Sequence, residues 1–311
     1  MQAVVTDPQA TGHVSLQTID DPVAAANMAL VRVSSFSLNL GEVRGASGGT
    51  AGRQIGWDLA GTVEQAAADG SGPAVGTRVV GFVPTGAWAE KVAVPTNALA
   101  VLPDAVSFAQ AATLPVAGLT ALYALEHGTR LLGRKVLVTG ASGGVGLFAC
   151  QLARLMGATV VGIIRRESYR ALVETAGAHH VVISEDGAAA RPLGPYRLVV
   201  ESVGGQVLAN ATGMLEPDGV CVLFGGSASA EVSFNIWPFV GAGRAQLYGL
   251  VLFHELVYEP ASVGLARLVG LVADGRLQPQ ITLEDSWEQV GSVAQHLLDR
   301  KIAAKAVLHI A

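Results

Sequence analysis

The chain has 311 residues, more than the roughly 250–300 at which a single hydrophobic core stops growing, so two domains are expected. Half of its residues are hydrophobic, only 14% are charged, and the formal net charge is −5. No basic cluster or acidic tail is present, and every apolar run is broken before the roughly 18 residues of a membrane span. We therefore expect no nucleic-acid partner and no membrane partner.

The first 113 residues are typical of a mostly β domain. Short β-type segments at residues 30–33, 59–64 and 78–83 are separated by glycine and proline turns. Residues 1–5 resemble a first strand and lack the basic and apolar regions of a signal peptide. From this start of the chain we expect a cytoplasmic protein.

From residue 108 the pattern becomes helical, and apolar strands then alternate with helices. The predicted strands are 135–139, 159–164, 180–184, 197–203, 219–224 and 246–252, with helices at 145–156 and 169–176 among them. Continuous apolar strands are typical of a parallel sheet covered on both faces. The order predicts a doubly wound Rossmann-type α/β domain.

The end of the chain predicts two helices, 262–274 and 287–300, and a last strand at 304–310. We expect this tail to return to the first domain. The predicted domains are therefore 1–113 with 253–311, and 114–252.

A glycine-rich turn follows the first strand of the Rossmann segment. Its members, between a predicted strand and a predicted helix, are Gly140, Ala141, Ser142, Gly143, Gly144, Val145 and Gly146. Glycines at this place allow backbone N–H groups at the helix N-terminus to bind a pyrophosphate. The alternative is a turn without a ligand, but the flanking βαβ pattern favours a dinucleotide site.

The end of the next predicted strand indicates which dinucleotide binds. Arg165 and Arg166 stand where an NAD enzyme favours an acid for the ribose 2′-hydroxyl. A guanidinium suits the 2′-phosphate of NADP, so we expect NADPH, although Glu167 next to them is an argument for NADH.

Several segments resemble the medium-chain dehydrogenase/reductase superfamily, in its zinc-free quinone oxidoreductase and enoyl reductase branch. The segments that carry the likeness are 56–63, 86–90, 114–121, the glycine loop, 200–205 and 305–308. The resemblance implies a GroES-like, β-barrel-type catalytic domain, built from both chain ends, beside the Rossmann domain, with the active site in a cleft between them. It also implies a homodimer that pairs the apolar strand at 247–252.

Zinc-dependent relatives hold their catalytic metal with a Cys, a His and a second Cys. Local alignment places Asn39, Trp57 and Val116 at those positions. Since none of these side chains is a useful zinc ligand, and Asp58 alone could offer only one, we expect no metal.

Without a Lewis acid, the easier substrates are those whose reduction leaves a delocalised anion. The resemblance thus implies hydride transfer from NADPH to a small-molecule enone, enoyl or quinone acceptor. The alternatives are a carbonyl reductase, a tailoring enoyl reductase for a bulky natural product, and a non-catalytic NADPH-binding protein.

The resemblance also suggests individual roles. Asn39 is expected near the nicotinamide, with its amide N–H polarising the substrate carbonyl; a turn-forming asparagine is the alternative. Thr120 is expected against the nicotinamide or its ribose, unless it is a helix N-terminal hydroxyl. Trp57 is expected to face the active site. Further cofactor contacts are expected from Ser202, Val203, Phe224 and Gly225. The remaining aromatic candidates for the pocket wall or the core are Phe36, Phe82, Trp88, Phe234, Trp237 and Phe253.

Some enoyl reductases of the superfamily carry a tyrosine acid just after the acidic residue of the loop that begins at Asn39. Here the sequence is Glu42-Val43-Arg44, so that acid is missing. Water, Glu42 or a substrate group remain as proton sources, and the alternative for Glu42 is an exposed structural pair with Arg44.

Overall fold

A computed structural model describes residues 1–310, and they divide into two compact units. The first unit consists of Met1–Leu119 and the stretch that begins at Leu256; the second is Thr120–Glu255. The boundaries expected from the sequence, at 113 and 252, stay a prediction.

The described part of the chain forms strands in both units. In chain order they are β1 (Gln2–Thr6), β2 (Val14–Thr18), β3 (Met28–Ser37), β4 (Asp58–Gln65), β5 (Arg78–Phe82), β6 (Lys91–Pro95), β7 (Leu99–Val101), β8 (Lys135–Val138), β9 (Thr159–Ile164), β10 (His180–Ile183), β11 (Tyr196–Glu201), β12 (Leu215–Leu223), β13 (Gln246–Gly249), β14 (Ile281–Ser286) and β15 (Lys305–His309).

Ten α-helices accompany these strands in the described part of the chain. They are α1 (Leu40–Ser47), α2 (Phe108–Ala112), α3 (Leu119–Glu126), α4 (Gly144–Leu155), α5 (Arg170–Thr175), α6 (Gly205–Thr212), α7 (Ile236–Gly241), α8 (Leu252–Tyr258), α9 (Ala261–Ala273) and α10 (Val290–Leu298). A π-helical turn, Leu114–Gly118, joins α2 to α3.

The first unit is built on a seven-stranded sheet in the order β14-β15-β3-β4-β5-β7, with β6 also paired to β3. Because β15 pairs antiparallel with β3, the chain end returns to the N-terminal strands, as expected. Phe36 and Trp88 stack in its core with ring centroids 5.2 Å apart, and neither ring is exposed.

The second unit contains a six-stranded, all-parallel sheet in the order β10-β9-β8-β11-β12-β13. Numbered from β8, this is the order 3-2-1-4-5-6 of a Rossmann sheet, in which the direction of winding reverses between β8 and β11. The loops after β8 and β11 therefore lie next to each other, and ligands of such sheets bind there. The α/β class and the doubly wound sheet expected from the sequence are confirmed.

Three expectations about elements are wrong in detail. The apolar run 246–252 is not one strand: β13 ends at Gly249, and the carbonyl of Val251 accepts the N–H groups of His254 and Glu255, which starts α8. Strand β14 was not expected, because four of its six side chains are charged or hydroxylated and exposed. The helix expected at 287–300 is a 3₁₀ turn followed by α10.

Among the described helices, none alone is long and apolar enough to cross a membrane, and one bent pair, α8 with α9, meets the test only when both are taken together.

Candidate functional site

The glycine loop of the second unit lies where the Rossmann order predicts it. After β8, Gly140 adopts a left-handed conformation (φ +55°) and Gly143 caps α4. The backbone N–H of Ala141 donates to the carbonyl of Ile163 at the end of β9 (3.0 Å), which holds the loop against the neighbouring strand. The first N–H groups of α4 have no partner within the helix and can bind an anion.

The last glycine of the loop is required by close packing. A Cβ on Gly146 would lie 2.5 Å from the carbonyl oxygen of Gly140 and 2.7 Å from the Cα of Ala141. Only glycine therefore lets the first turn of α4 approach the loop this closely. Ser142, Gly143, Gly144 and Val145 are all half-buried at this edge of the sheet.

The loop after β11 lies beside the glycine loop. The N–H of Ser202 donates to the Thr139 hydroxyl (3.0 Å), and its own hydroxyl donates to the Thr139 carbonyl (3.3 Å). The carbonyls of Ser202 and Val203 accept the N–H groups of Ser227 and Ala228. The loops after β8, β11 and β12 are thus joined at one edge.

The predicted residues Phe224 and Gly225 follow β12 at the same edge. The N–H of Phe224 donates to the Glu201 carbonyl (3.1 Å), and a Cβ on Gly225 would lie 3.0 Å from the carbonyl oxygen of Ser202. Both residues are half-buried. The expected cofactor contacts after β11 and β12 are therefore brought together, and their role toward a cofactor stays a prediction.

Glu201 lies at the same edge of the sheet and had no role among the sequence expectations. Its fully buried carboxylate accepts the N–H groups of Val203 (2.9 Å) and Gly204 (3.1 Å) and the Thr139 hydroxyl (3.2 Å). Burial raises its pKa, and these hydrogen bonds act in the opposite direction. An acid directly after the apolar residues 198–200 was the available signal, because a buried carboxylate needs partners.

The end of β9 presents three charged residues in succession. Arg165 and Arg166 are exposed, and a guanidinium nitrogen of Arg166 lies 3.4 Å from the Tyr169 hydroxyl. The carboxylate of Glu167, which argued for NADH, is bound by Arg170 through two bonds of 2.6 and 3.1 Å.

In the first unit, Asn39 is the N-cap of α1 rather than a turn residue after a strand. The carboxylate of Glu42 accepts the backbone N–H of Asn39 (2.7 Å), as the third residue of a capping box does. The side chain of Asn39 forms hydrogen bonds with a set of ionisable groups next to this cap.

That set is centred on Asp58, the first residue of β4, which is fully buried. Asn39 donates through Nδ2 to Asp58 Oδ2 (2.7 Å) and to Glu42 Oε1 (3.0 Å). The Ser37 hydroxyl donates to Asp58 Oδ2 (2.6 Å), and the N–H of Val116, in the π-helical turn, donates to Oδ1 (2.9 Å). Both carboxylate oxygens of Asp58 are thereby satisfied.

Lys305 supplies the positive charge of this cluster from the start of β15. Its ammonium donates to Asn39 Oδ1 (2.6 Å) and to the carbonyl of Leu38 (2.9 Å), and it lies 3.5 Å from Asp58 Oδ2. Its side chain is 3% exposed, and burial lowers its pKa while the two carboxylates raise it. We call Asn39, Glu42, Asp58 and Lys305 the buried polar cluster.

These bonds bear on the expected role of Asn39. The two amide hydrogens point to two carboxylates, and the amide oxygen accepts from an ammonium. No N–H of this side chain is left for a substrate carbonyl while those bonds are in place.

Glu42 differs from the expectation of an exposed pair with Arg44. Arg44 is exposed, but Glu42 is only 3% exposed, and its Oε2 is buried without a hydrogen-bond partner among the described residues. Burial, and then the charge of Asp58, hold the pKa of Glu42 well above its usual range, so the carboxyl favours its protonated form. Nothing in the local sequence Glu42-Val43-Arg44 indicated that the Glu42 side chain is buried.

The three positions aligned with zinc ligands lie around Asp58. Asn39 and Val116 both donate to its carboxylate, Trp57 precedes it, and a Cβ on Gly41 would lie 3.2 Å from the Trp57 ring. An indole and an isopropyl group do not bind zinc, and the Asn39 oxygen already accepts from Lys305. The donor set does not fit the metal. Within residues 1–310, no three His, Cys, Asp or Glu side chains form a group that could hold one.

The other candidates have mixed environments. Thr120 is 5% exposed and is the second residue of α3. Because the π-helical turn Leu114–Gly118 runs directly into α3, Thr120 lies inside a continuous helical segment rather than at its start. Phe36, Phe82 and Trp88 are buried, whereas Trp237 is 72% exposed. Trp57 is half-buried, and its expected place at the active site stays a prediction.

Comparisons with known proteins agree with both units. Residues 25–104 match the family model described as alcohol dehydrogenase GroES-like domain, and residues 144–264 match that described as zinc-binding dehydrogenase. A quinone oxidoreductase of Pseudomonas aeruginosa is 31% identical over 263 residues, which cover 82% of this chain and 81% of that protein.

Two further relatives are a segment of a much longer protein and a protein of known structure. A mycocerosic acid synthase-like polyketide synthase of Mycobacterium tuberculosis is 32% identical over 243 residues, which cover 74% of this chain but only 11% of that protein. A mycobacterial protein solved in complex with NADPH superposes with a TM-score of 0.89 at 25% identity and full coverage of both chains. The chain belongs to the medium-chain dehydrogenase/reductase superfamily, in its quinone oxidoreductase-like branch.

Proposed function

We propose that the chain is an NADPH-dependent reductase that delivers hydride to a quinone or to an activated C=C bond without a metal. The observation that carries the proposal is the buried polar cluster, in which an ammonium group binds the Oδ1 of Asn39, a residue at one of the zinc-ligand positions. A conjugated acceptor suits such a site, because its reduction leaves a delocalised anion that needs no Lewis acid.

The cofactor is proposed from the second unit. The first N–H groups of α4 would bind the pyrophosphate, and Arg165 and Arg166 would bind the 2′-phosphate. The solved mycobacterial relative with NADPH supports the same cofactor. Once bound, NADPH supplies a hydride from C4 of its nicotinamide. Glu201 would hold the loop at Ser202 and Val203 in place for it.

In the first unit, we propose that Asn39 positions the buried polar cluster and that Trp57 forms an apolar wall for the acceptor. Thr120, in the second unit, is proposed to contact the nicotinamide or its ribose. The reduced acceptor takes up one proton, and its candidate donors are solvent water and the protonated carboxyl of Glu42. Glu42 is the favoured donor, because burial raises the pKa of its carboxyl well above the usual range and so favours the protonated form.

The acceptor class is tested by steady-state rates with NADPH and NADH on a quinone, an α,β-unsaturated ketone, an enoyl thioester and a saturated ketone. We expect turnover with NADPH on the quinone or the enone and little on the saturated ketone. Reduction of the saturated ketone alone, or activity that a chelator removes and zinc restores, would contradict the proposal. NADPH binding without oxidation by any acceptor would indicate a non-catalytic protein.

An enoyl thioester is the second candidate acceptor. It is favoured by the 32% identity to a segment of a polyketide synthase. A kcat/KM at least about tenfold higher for the thioester than for the quinone, a difference of about 1.4 kcal/mol in transition-state stabilisation, would select it.

A further inference from the structure

Glu167 is badly placed for an enzyme that binds a 2′-phosphate. It follows Arg165 and Arg166 directly after β9, and the glycine loop is bonded to the end of that same strand. A carboxylate there would repel a phosphate dianion and would instead accept the 2′-hydroxyl of NADH. The side chain is 64% exposed, so burial does not neutralise it.

Arg170, at the start of α5, holds this carboxylate in a bidentate pair. Its Nε donates to Oε1 (2.6 Å) and its Nη2 to Oε2 (3.1 Å), a geometry that a lysine cannot reproduce. The pair keeps Glu167 ionised but engages both of its oxygens, and accordingly its pKa is lowered by Arg170.

Arg170 is itself fixed by the sheet. Its Nη1 donates to the carbonyl of Val181 in β10, the strand next to β9 (3.0 Å), and lies 3.7 Å from Glu174. Because these two contacts fix the guanidinium group, it is not free to turn toward a bound cofactor. Arg170 is therefore oriented toward Glu167, while Arg165 and Arg166 are the exposed cations of the strand end.

From this arrangement we infer that Arg170 is a specificity-determining residue, which selects the 2′-phosphorylated cofactor by occupying the carboxylate of Glu167. The inference rests on the proposed NADPH-dependent function and extends it. Arg170 acts through Glu167 and is a positioning residue. Its removal would free a carboxylate beside Arg165 and Arg166, which would compete with the phosphate for both guanidinium groups.

The test is Arg170→Gln, with KM and kcat measured for NADPH and NADH. We expect the KM for NADPH to rise about 5- to 20-fold with kcat little changed, and the KM for NADH to stay constant or fall. Inhibition by 2′,5′-ADP should weaken by a similar factor, and inhibition by ADP should not. The rise in the KM for NADPH should be smaller at high salt, because Arg165, Arg166 and Glu167 are exposed and salt screens their charges.

The double variant Glu167→Gln/Arg170→Gln supplies the decisive comparison. It should return the KM for NADPH to within about twofold of the parent value, since the competing carboxylate is gone. Glu167→Gln alone should leave the KM unchanged or lower it, and this variant keeps the inference testable if Arg170→Gln folds poorly.

A matched control is Arg244→Gln. Arg244 pairs with Asp218 at 2.6 Å through two nitrogens, in the same unit but just before β13, away from the carboxyl ends of the strands. It should leave both KM values unchanged. If Arg170→Gln raises both KM values equally, or if the double variant stays as weak as the single one, the inference is overturned. Equal use of NADPH and NADH by the parent protein would instead overturn the proposed cofactor.

Discussion

The side chain of Asn39 alone joins three buried ionisable groups, Glu42, Asp58 and Lys305. If it is replaced by alanine, Asp58 and Glu42 each lose a hydrogen bond and Lys305 loses an acceptor. A buried charge that loses its partner is costly, and the surrounding side chains rearrange.

For Asn39→Ala we therefore expect kcat/KM with an enone to fall about 10- to 100-fold, together with a lower melting temperature. The control is Ser107→Ala, which removes the capping box of α2 in the same unit and should reduce stability by about 1 kcal/mol without changing the rate. Full kcat/KM in Asn39→Ala would exclude any catalytic or positioning role.

Glu42 makes stability depend on pH with a defined sign. Its folded-state pKa is raised above the ordinary value of 4.5, so the folded protein holds a proton that the unfolded chain releases. Folding stability is therefore lost as pH rises from the unfolded pKa toward the folded one, by up to about 1.4 kcal/mol per pH unit.

The variant Glu42→Gln should remove this slope. A glutamine can keep the accepting oxygen toward Asn39 and place its amide where the unpartnered Oε2 lies. Denaturant unfolding from about pH 5 to about pH 8 should show the parent losing stability relative to Glu42→Gln. Glu185→Gln, at an exposed glutamate, should follow the parent. Parallel curves for all three proteins would show that Glu42 is ionised in the fold.

The pH profile of kcat in Glu42→Gln also decides the proton source, since an unchanged profile points to water.

At the scale of elements, the glycine loop offers a test that separates close packing from helix propensity. In Gly146→Ala the new Cβ would lie 2.5 Å from the Gly140 carbonyl oxygen, so the turn must open. We expect a loss of about 1–3 kcal/mol in stability and at least tenfold weaker NADPH binding.

The matched substitution is Gly270→Ala in α9, where a Cβ would meet no atom within 4 Å. In a helix interior, the intrinsic helix propensity of alanine is about 1 kcal/mol more favourable than that of glycine. The free energy of unfolding of this variant should therefore equal or exceed that of the parent. Calorimetry and titration of the cofactor measure both effects. Unchanged cofactor affinity in Gly146→Ala would remove the loop from the binding site.

Local patterns predicted the Rossmann sheet well, because the glycine loop and the apolar strands are each encoded in a few neighbouring residues. The buried polar cluster could not be predicted in this way. Asn39 and Lys305 are 266 residues apart, and nothing near either of them in the sequence indicates the other. The strand predicted over residues 250–252 was wrong for a different reason. A short apolar run fits a strand or the start of a buried helix equally well.

At the scale of the whole molecule, β13 is an edge strand that pairs only with β12. Leu247 on this strand is 45% exposed, and Val251 just beyond it is 49% exposed. An unpaired apolar edge invites pairing with another chain. A two-fold axis beside it would place β13 of a second copy antiparallel to the first, and the two sheets would then form one continuous sheet.

We therefore predict a homodimer whose interface contains Leu247. Replacing it with lysine would place an ammonium group in that interface, where burial disfavours the charge and the desolvation cost falls on both copies. Light scattering during size-exclusion chromatography should give twice the chain mass for the parent and a concentration-dependent shift toward the single-chain mass for Leu247→Lys. Val263→Lys is the control, since Val263 in α9 is also 45% exposed but lies in the other unit, and it should remain dimeric. A parent protein that is monomeric at micromolar concentrations, or a Leu247→Lys variant as dimeric as the control, would mean that the edge strand is protected in another way.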